Sequence, residues 1–501
     1  MKVMGIIIRQ SLKATIVNYV GAFVGFITMM FVSTKFLTPE ELGLTRVMID
    51  AATILGGLMA LGVGSSGLRF FPFFKTDKNS HNNGFLFYLL LFPATGAIAF
   101  GLLFVLFKSG ITNFFAAESP LFNQFFYYIV PLAIFLAFTT AFETYATNLM
   151  RIVIPRFIRE VLLRLMFIAV VLLYFFGVFT LPQFIFAMVS TYGIMVILNG
   201  IYIAMMGKFS LKHDFSFIEK PLKKEVVNYS GFIVLASLGG TFSLVASTFL
   251  LGGMKGLEYS AIYSIAMFMV VVIEIPNRQL QTIASPVAAQ AIKENDHNKA
   301  QDLFQKVSLN QLLVSSLLFV FLWINIDTIF HYIPNSEVFS RGKYVVLFIG
   351  IARIFYMIAN FANTLVSYSK HYYYILFFML FMMVSAITLN LVLIPIHALS
   401  GAALANAITF VAYCFLMLAF VKWKLKMHPF SAGMLKILVI ISGLFLLNFL
   451  LPTLENPLVD SLYRSSILAV IAGLSVYFWN VSEDMTALIK SIFRHDKTRS
   501  L

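Results

Sequence analysis

The chain has 501 residues, 60% of them hydrophobic and only 12% charged, with a mean hydropathy of +0.89. A soluble domain carries about 25% charged residues, so 36 basic and 22 acidic side chains are too few to clothe a soluble globule of this size. The formal net charge of +14 does not indicate nucleic acid either, because the basic residues form no soluble module.

A bilayer core of about 30 Å takes about 20 apolar helical residues. The first such run, 13–37, follows Met1–Lys13. It is too long for the core of a signal peptide and has no small-residue cleavage site, so it is read as retained. Further runs lie at 42–69, 84–107, 122–147, 157–179 and 181–206. A polar interval, 207–225, contains KFSLKHDFSFIEKPLKKE. Beyond it come 226–252, 259–285, 307–330, 343–368, 371–395, 399–421, 431–451 and 462–480. An all-α polytopic membrane protein of about fourteen transmembrane helices is therefore predicted. After the last span, Met485, Leu488, Ile489, Ile492 and Phe493 form an apolar stripe opposite Lys490 and Arg494. That stripe predicts an amphipathic helix on the inner membrane surface.

With the N-terminus inside, twenty-five Lys and Arg residues fall in cytoplasmic segments. Only Lys35, Lys108, Lys255, Arg341, Lys343 and Arg464 stand on the opposite side. This bias places both termini in the cytoplasm and gives the cytoplasmic face an attraction for anionic lipid.

A weak internal repeat divides the chain. FLTPEELGLTRVMIDAATIL, from the first span into the second, resembles LLGGMKGLEYSAIYSIAMFM, from the seventh into the eighth. RFFPFF (69–74) and SPVAAQ (285–290) each then put a proline at a helix exit. The expected organisation is a six-helix bundle (1–206), a cytoplasmic linker (207–225) and a second six-helix bundle (226–423), the bundles in pseudo-twofold parallel repeat around a central cavity. Two extra spans (424–482) and the amphipathic tail (483–501) follow.

NLVLIPIHALSGAALANAITFVAY (390–413) resembles the eleventh-to-twelfth helix signature of the polysaccharide transport family. This family belongs to the multidrug/oligosaccharidyl-lipid/polysaccharide exporter superfamily. FLTPEELG followed by GLRFFPFF is similar to the family's first-to-second helix region. SPVAAQAIKENDHNKAQDLFQKVS is similar to the basic loop after its eighth helix. The chain departs from the family at His397-Ala398, where many relatives have Tyr-Gly. The resemblance implies a flippase of undecaprenyl-diphosphate-linked oligosaccharide repeat units in a bacterial inner membrane. It implies membrane lipids, and a polysaccharide polymerase and chain-length proteins, as partners, and no cofactor. Other branches move drugs or the peptidoglycan precursor. A cation-coupled multidrug exporter is thus the alternative, in which acidic residues should dominate the cavity. A membrane-embedded glycosyltransferase is disfavoured by the shortness of the outer loops 331–342 and 452–461.

Ionised side chains in mid-bilayer cost on the order of 3 kcal/mol on insertion scales and must face protein or water. Arg46 and Asp50 lie one turn apart on the second span, with Thr53 and Gly57 on the same face. Glu274 and Arg278 do likewise on the eighth, continued by Gln281 and Ser285. Arg353, Asn360 and Thr364 align on the tenth. These pairs either neutralise one another structurally or line the translocation cavity. The expected cavity residues are Arg46, Asp50, Glu274, Arg278, Arg353 and Asn360. A guanidinium such as that of Arg353 suits a diphosphate oxyanion. Glu143 and Arg164, nearer the cytoplasmic ends of their spans, join Glu274 as candidates for ion coupling or gating. Pro276 should kink the eighth helix. Gly21 and Gly25 allow close helix contact. The eight histidines have no ligand spacing, so no metal site is expected. The single cysteine, Cys414, excludes an intrachain disulfide. No Walker, HExxH or GxSxG pattern occurs, so no catalytic residue is expected.

Overall fold

The computed structural model describes residues 2–75, 84–212, 220–483, 485 and 486; for 2–9, 11, 12, 220–223, 278, 279 and 282 it describes the backbone alone. Nearly all of the expected amphipathic tail lies outside the described residues. Among the described residues the chain is helical and has no strand. Helix α1 (Lys2–Ile27) continues through a π-helical turn, Thr28–Ser33. There follow α2 (Pro39–Met59), α3 (Val63–Phe74), α4 (Phe85–Leu106), α5 (Lys108–Ala116), α6 (Pro120–Gln124) and α7 (Ile129–Asn148). Next are α8 (Val153–Phe157), α9 (Leu163–Phe175), α10 (Leu181–Met205), α11 (Lys220–Lys255) and α12 (Leu257–Val271). The remainder are α13 (Ile275–Lys293), α14 (His297–Ile324), α15 (Ile326–Tyr332), α16 (Ser336–Phe339), α17 (Lys343–Tyr368), α18 (Tyr374–Lys424), α19 (Ala432–Leu450) and α20 (Pro457–Phe478).

Twelve helical stretches among the described residues are long and apolar enough to cross a membrane. Two local features reconcile this number with the fourteen expected runs. Helix α18, of 51 residues, holds two of them. At 1.5 Å per residue it would reach ~77 Å if straight, more than twice the hydrocarbon thickness. It breaks at Ala398, which has φ 47° and ψ −117°. The run expected at 157–179 is absent from the twelve because Arg159, Glu160 and Arg164 crowd its first half and leave it too polar over any span-length window; there a π-helical turn, Ile158–Leu162, joins α8 to the 13-residue α9.

Local chemistry sets the helix ends. Thr38 begins α2 with a reciprocal cap: its hydroxyl accepts from the Glu41 amide at 3.2 Å, and its own amide donates to the Glu41 carboxylate at 2.9 Å. Pro39, lacking an amide proton, occupies the first helical position, where none is needed. Leu61 and Gly62, with φ of 49° and 72°, end α2 and let α3 start anew. Pro276 coincides with an interruption of the eighth span, where a 3₁₀ turn, Val272–Glu274, separates α12 from α13.

The chain forms two compact units. Unit 1 comprises 1–264 and 386–398. Helix α2 is its axis and packs on α4, α7 and α11. The approach near the start of α12 is so close that a Cβ at Gly43 would overlap the backbone carbonyl of Leu257. Within the same unit, Lys255 at the end of α11 donates to the Pro395 carbonyl at 3.2 Å. Unit 2 comprises 265–385 and 399–501. Here α14 packs on α13, α17 and α19. One apolar cluster gathers Phe304, Phe361, Phe410 and Met417. A second joins α14 to α19 and α20 through Leu313, Ile437, Leu444 and Leu468.

Candidate functional site

The charges inside the spans form one cluster in each unit. In unit 1, Arg46 and Asp50 share a face of α2 one turn apart, yet they are not in salt-bridge contact. The Arg46 guanidinium instead donates to the Met29 thioether, on the π-helical turn of the first span. Its Nε is buried without a hydrogen-bond partner. Asp50 takes a hydrogen bond from Thr248 of α11. Thr53 turns its hydroxyl back to the Ile49 carbonyl at 2.7 Å. A π-helical turn inserts an extra residue and rotates the side chains that follow, as often found at working sites. Here such a turn presents Met29 to Arg46.

A second π-helical turn serves the other charges of unit 1. Glu143, on α7, pairs with Arg159 of that turn at 2.9 Å. Glu160 pairs with Arg164, one helical turn on, at 3.0 Å. Arg164 also donates to the Gly21 carbonyl of α1. Gly21 and Gly25 make room for this: a Cβ at Gly21 would strike Glu160, and one at Gly25 would strike the Arg164 guanidinium. The two glycines thus seat an ion pair rather than merely a helix. Tyr192 of α10 lies within electrostatic reach of Arg46, Asp50, Arg159 and Arg164. Arg159 and Tyr192 were not singled out by sequence reasoning, since Arg159 counts there as a loop cation and Tyr192 carries no charge.

In unit 2, Arg353 of α17 pairs with Glu274 at 3.0 Å. Arg353 is only 5% exposed. Its guanidinium lies over the Phe410 ring at 4.2 Å and beside Tyr356 at 5.8 Å. Sequence spacing offers Arg278 as the partner of Glu274; the Arg278 side chain lies outside the described residues. A second polar rung joins the same helices, where Thr364 of α17 donates to Gln281 of α13 at 2.9 Å. Asn360 sits between Arg353 and Thr364 on the same face of α17, half-buried. Gln311 of α14 donates to Asn277 of α13. Gln311 and Phe410 complete the cluster: Gln311 is a polar residue within the expected span 307–330 and could have been flagged for that, whereas nothing in the sequence marks Phe410.

Chemically, unit 2 offers a cation already neutralised and stacked. Unit 1 offers a permanently charged guanidinium with a soft thioether for company. Among the described residues no group of three or more His, Cys, Asp or Glu is placed to hold a metal ion.

No family profile and no curated protein matches the sequence. Solved structures do match in fold. The inward closed conformation of the lipid II flippase MurJ superposes with a TM-score of 0.69 at 14% identity, covering 97% of this chain and 98% of that one. An inward-facing multidrug resistance MATE transporter of the MOP superfamily gives 0.62 at 12% identity, over 81% of this chain and 94% of that one. A MOP superfamily transporter from Pyrococcus furiosus, described as having a binding pocket of reverse polarity, gives 0.55 at 13% identity over 84% and 95%. The chain therefore has the polytopic helical fold that MurJ and the MATE transporters share within the MOP superfamily.

Proposed function

We propose that the chain is a flippase for undecaprenyl-diphosphate-linked oligosaccharide repeat units in a bacterial cytoplasmic membrane, supplying O-antigen, capsule or exopolysaccharide synthesis. The sugar head cannot cross about 30 Å of hydrocarbon unaided, and a fold that opens alternately to the two faces removes that barrier. The observation that carries the reading is Arg46. A guanidinium with a buried, unpartnered donor is costly, and a diphosphate oxyanion would satisfy it with charge-assisted hydrogen bonds. The lipid II flippase fold over 97% of the chain supports the same chemistry. Arg353 takes part by exchange: the diphosphate competes with Glu274 for the guanidinium, which keeps binding weak enough for release. A polysaccharide polymerase and chain-length proteins act on the product after transfer, and both chain termini lie in the cytoplasm.

The test is substitution. Arg46→Ala should abolish surface polysaccharide without lowering the amount of protein in the membrane, whereas Arg353→Ala, which strands the Glu274 carboxylate, should abolish it and lower the amount of protein as well. Arg46→Lys should keep part of the activity, because the point charge survives while the planar fork is lost. Normal export by both alanine variants would overturn the anion-binding reading. The MATE likeness supports, as a second reading, a cation-coupled exporter of amphipathic drugs. That reading would replace the first if Glu274→Gln abolished dye efflux while polysaccharide export continued.

A further inference from the structure

Unit 1 carries a groove remote from its charges. It encloses about 440 Å³ and is lined by Leu55 and Leu58 of α2, Phe100 and Phe104 of α4, and Phe107 and Gly110 at the turn into α5. At about 100° per residue, Leu55 projects from the side of α2 opposite Arg46, so the groove is no part of the charged cluster. Its wall is open to the surroundings: Phe107 is 67% and Leu103 46% exposed. Gly110, exposed on its lining, has nothing within 4 Å of where a Cβ would stand, so a side chain there would enter open space. Next in the chain after the lining residue Phe107 is Lys108. Its ammonium donates to the Tyr127 hydroxyl at 3.0 Å and lies 4.5 Å from the centre of that ring. Among the described residues it has no carboxylate partner, and two of its three donors remain for another ligand.

We propose that this groove binds one acyl chain of an anionic phospholipid, with the lipid's phosphodiester on Lys108. The charge matches: one ammonium answers the single negative charge of a phosphodiester, whereas a diphosphate calls for several cations or a bidentate guanidinium. The size matches as well, because an undecaprenyl chain is several times longer than an acyl chain and would overrun the groove. Tyr127, 55% exposed, gives the headgroup an amphipathic ring of the kind that settles at membrane interfaces. The site is independent of what the protein transports.

Delipidated full-length protein in detergent micelles is titrated with phosphatidylglycerol and with phosphatidylcholine of identical chains, and bound lipid is counted by native mass spectrometry. One phosphatidylglycerol should bind about fivefold more tightly than phosphatidylcholine, the factor a single lysine near a membrane surface provides. Lys108→Gln should remove that preference. Gly110→Leu, which adds bulk to the lining, should weaken both lipids and leave the preference intact. Should Gly110→Leu not fold, Leu103→Trp at the exposed wall serves the same end. Equal binding of the two lipids by the unaltered protein, a preference that survives Lys108→Gln, or displacement of phosphatidylglycerol by undecaprenyl phosphate would each overturn the assignment.

Discussion

Arg353 and Arg46 are the same residue in the same kind of apolar helix, one in each unit, and they are treated in opposite ways. Arg353 is answered on every side, by Glu274 at 3.0 Å and by the Phe410 face at 4.2 Å. Arg46 meets a thioether and keeps a buried donor without a partner. A buried ion pair is an element of the fold, because removing one partner strands the other. A buried cation whose carboxylate neighbour, Asp50, stays out of salt-bridge contact keeps instead a demand for a closer anion. The difference separates the arginine that holds unit 2 together from the one that waits in unit 1.

The largest expected effect tests that separation directly. Glu274→Leu should destabilise the protein by about 3–5 kcal/mol, since it leaves the Arg353 charge buried alone. This would be read as a lower unfolding temperature in detergent micelles. The double variant Glu274→Leu/Arg353→Met should recover most of the loss. Arg46→Met should cost less, about 1–2 kcal/mol, because it removes an unsatisfied donor yet leaves the buried Asp50 without its neighbouring cation, while transport stops. A loss on Arg46→Met as large as that on Glu274→Leu would erase the contrast between the units.

A smaller effect sharpens the picture of α2, which carries Arg46. Gly43→Ala should cost about 1–3 kcal/mol, because its methyl meets the Leu257 backbone rather than a side chain that can swing away. Gly57→Ala, on the same helix with nothing within 4 Å, should be neutral or stabilising by up to about 1 kcal/mol. Equal thermal shifts for the two would show that α2 is not seated against that backbone. The smallest effect lies where the chain passes from one unit to the other. Ala398 is the last residue of a unit 1 segment and Leu399 begins one of unit 2. Ala398→Gly should raise stability by about 1 kcal/mol, because a φ of 47° crowds a Cβ that glycine lacks. An unchanged unfolding temperature would show that Ala398 bears no strain.

The membrane spans were legible because a backbone in hydrocarbon must satisfy itself within each helix, so a long apolar run has little choice of structure. The interruption at Pro276 was legible for the same local reason. The π-helical turn at Ile158–Leu162 was not, since its residues are as good for an α-helix. It is associated with an arrangement in which Arg159 and Arg164 reach different partners. Glu274 shows the limit most plainly. Periodicity offers Arg278 one turn away, but no pattern in the sequence points to Arg353, which the structure pairs with Glu274 from another helix. The groove beside Lys108 was invisible for the opposite reason: where nearly every residue is apolar, one more apolar face carries no signal.

Helix α18 leaves the ribosome as one 51-residue stretch with its only break at Ala398. So tight a turn leaves no loop between the two halves. Its segment 386–398 belongs to unit 1, although all of 265–385, which belongs to unit 2, is synthesised before it. Unit 1 is therefore begun first and completed late. A nascent chain halted anywhere before residue 386 would carry nearly every helix of that unit and still leave it unfinished.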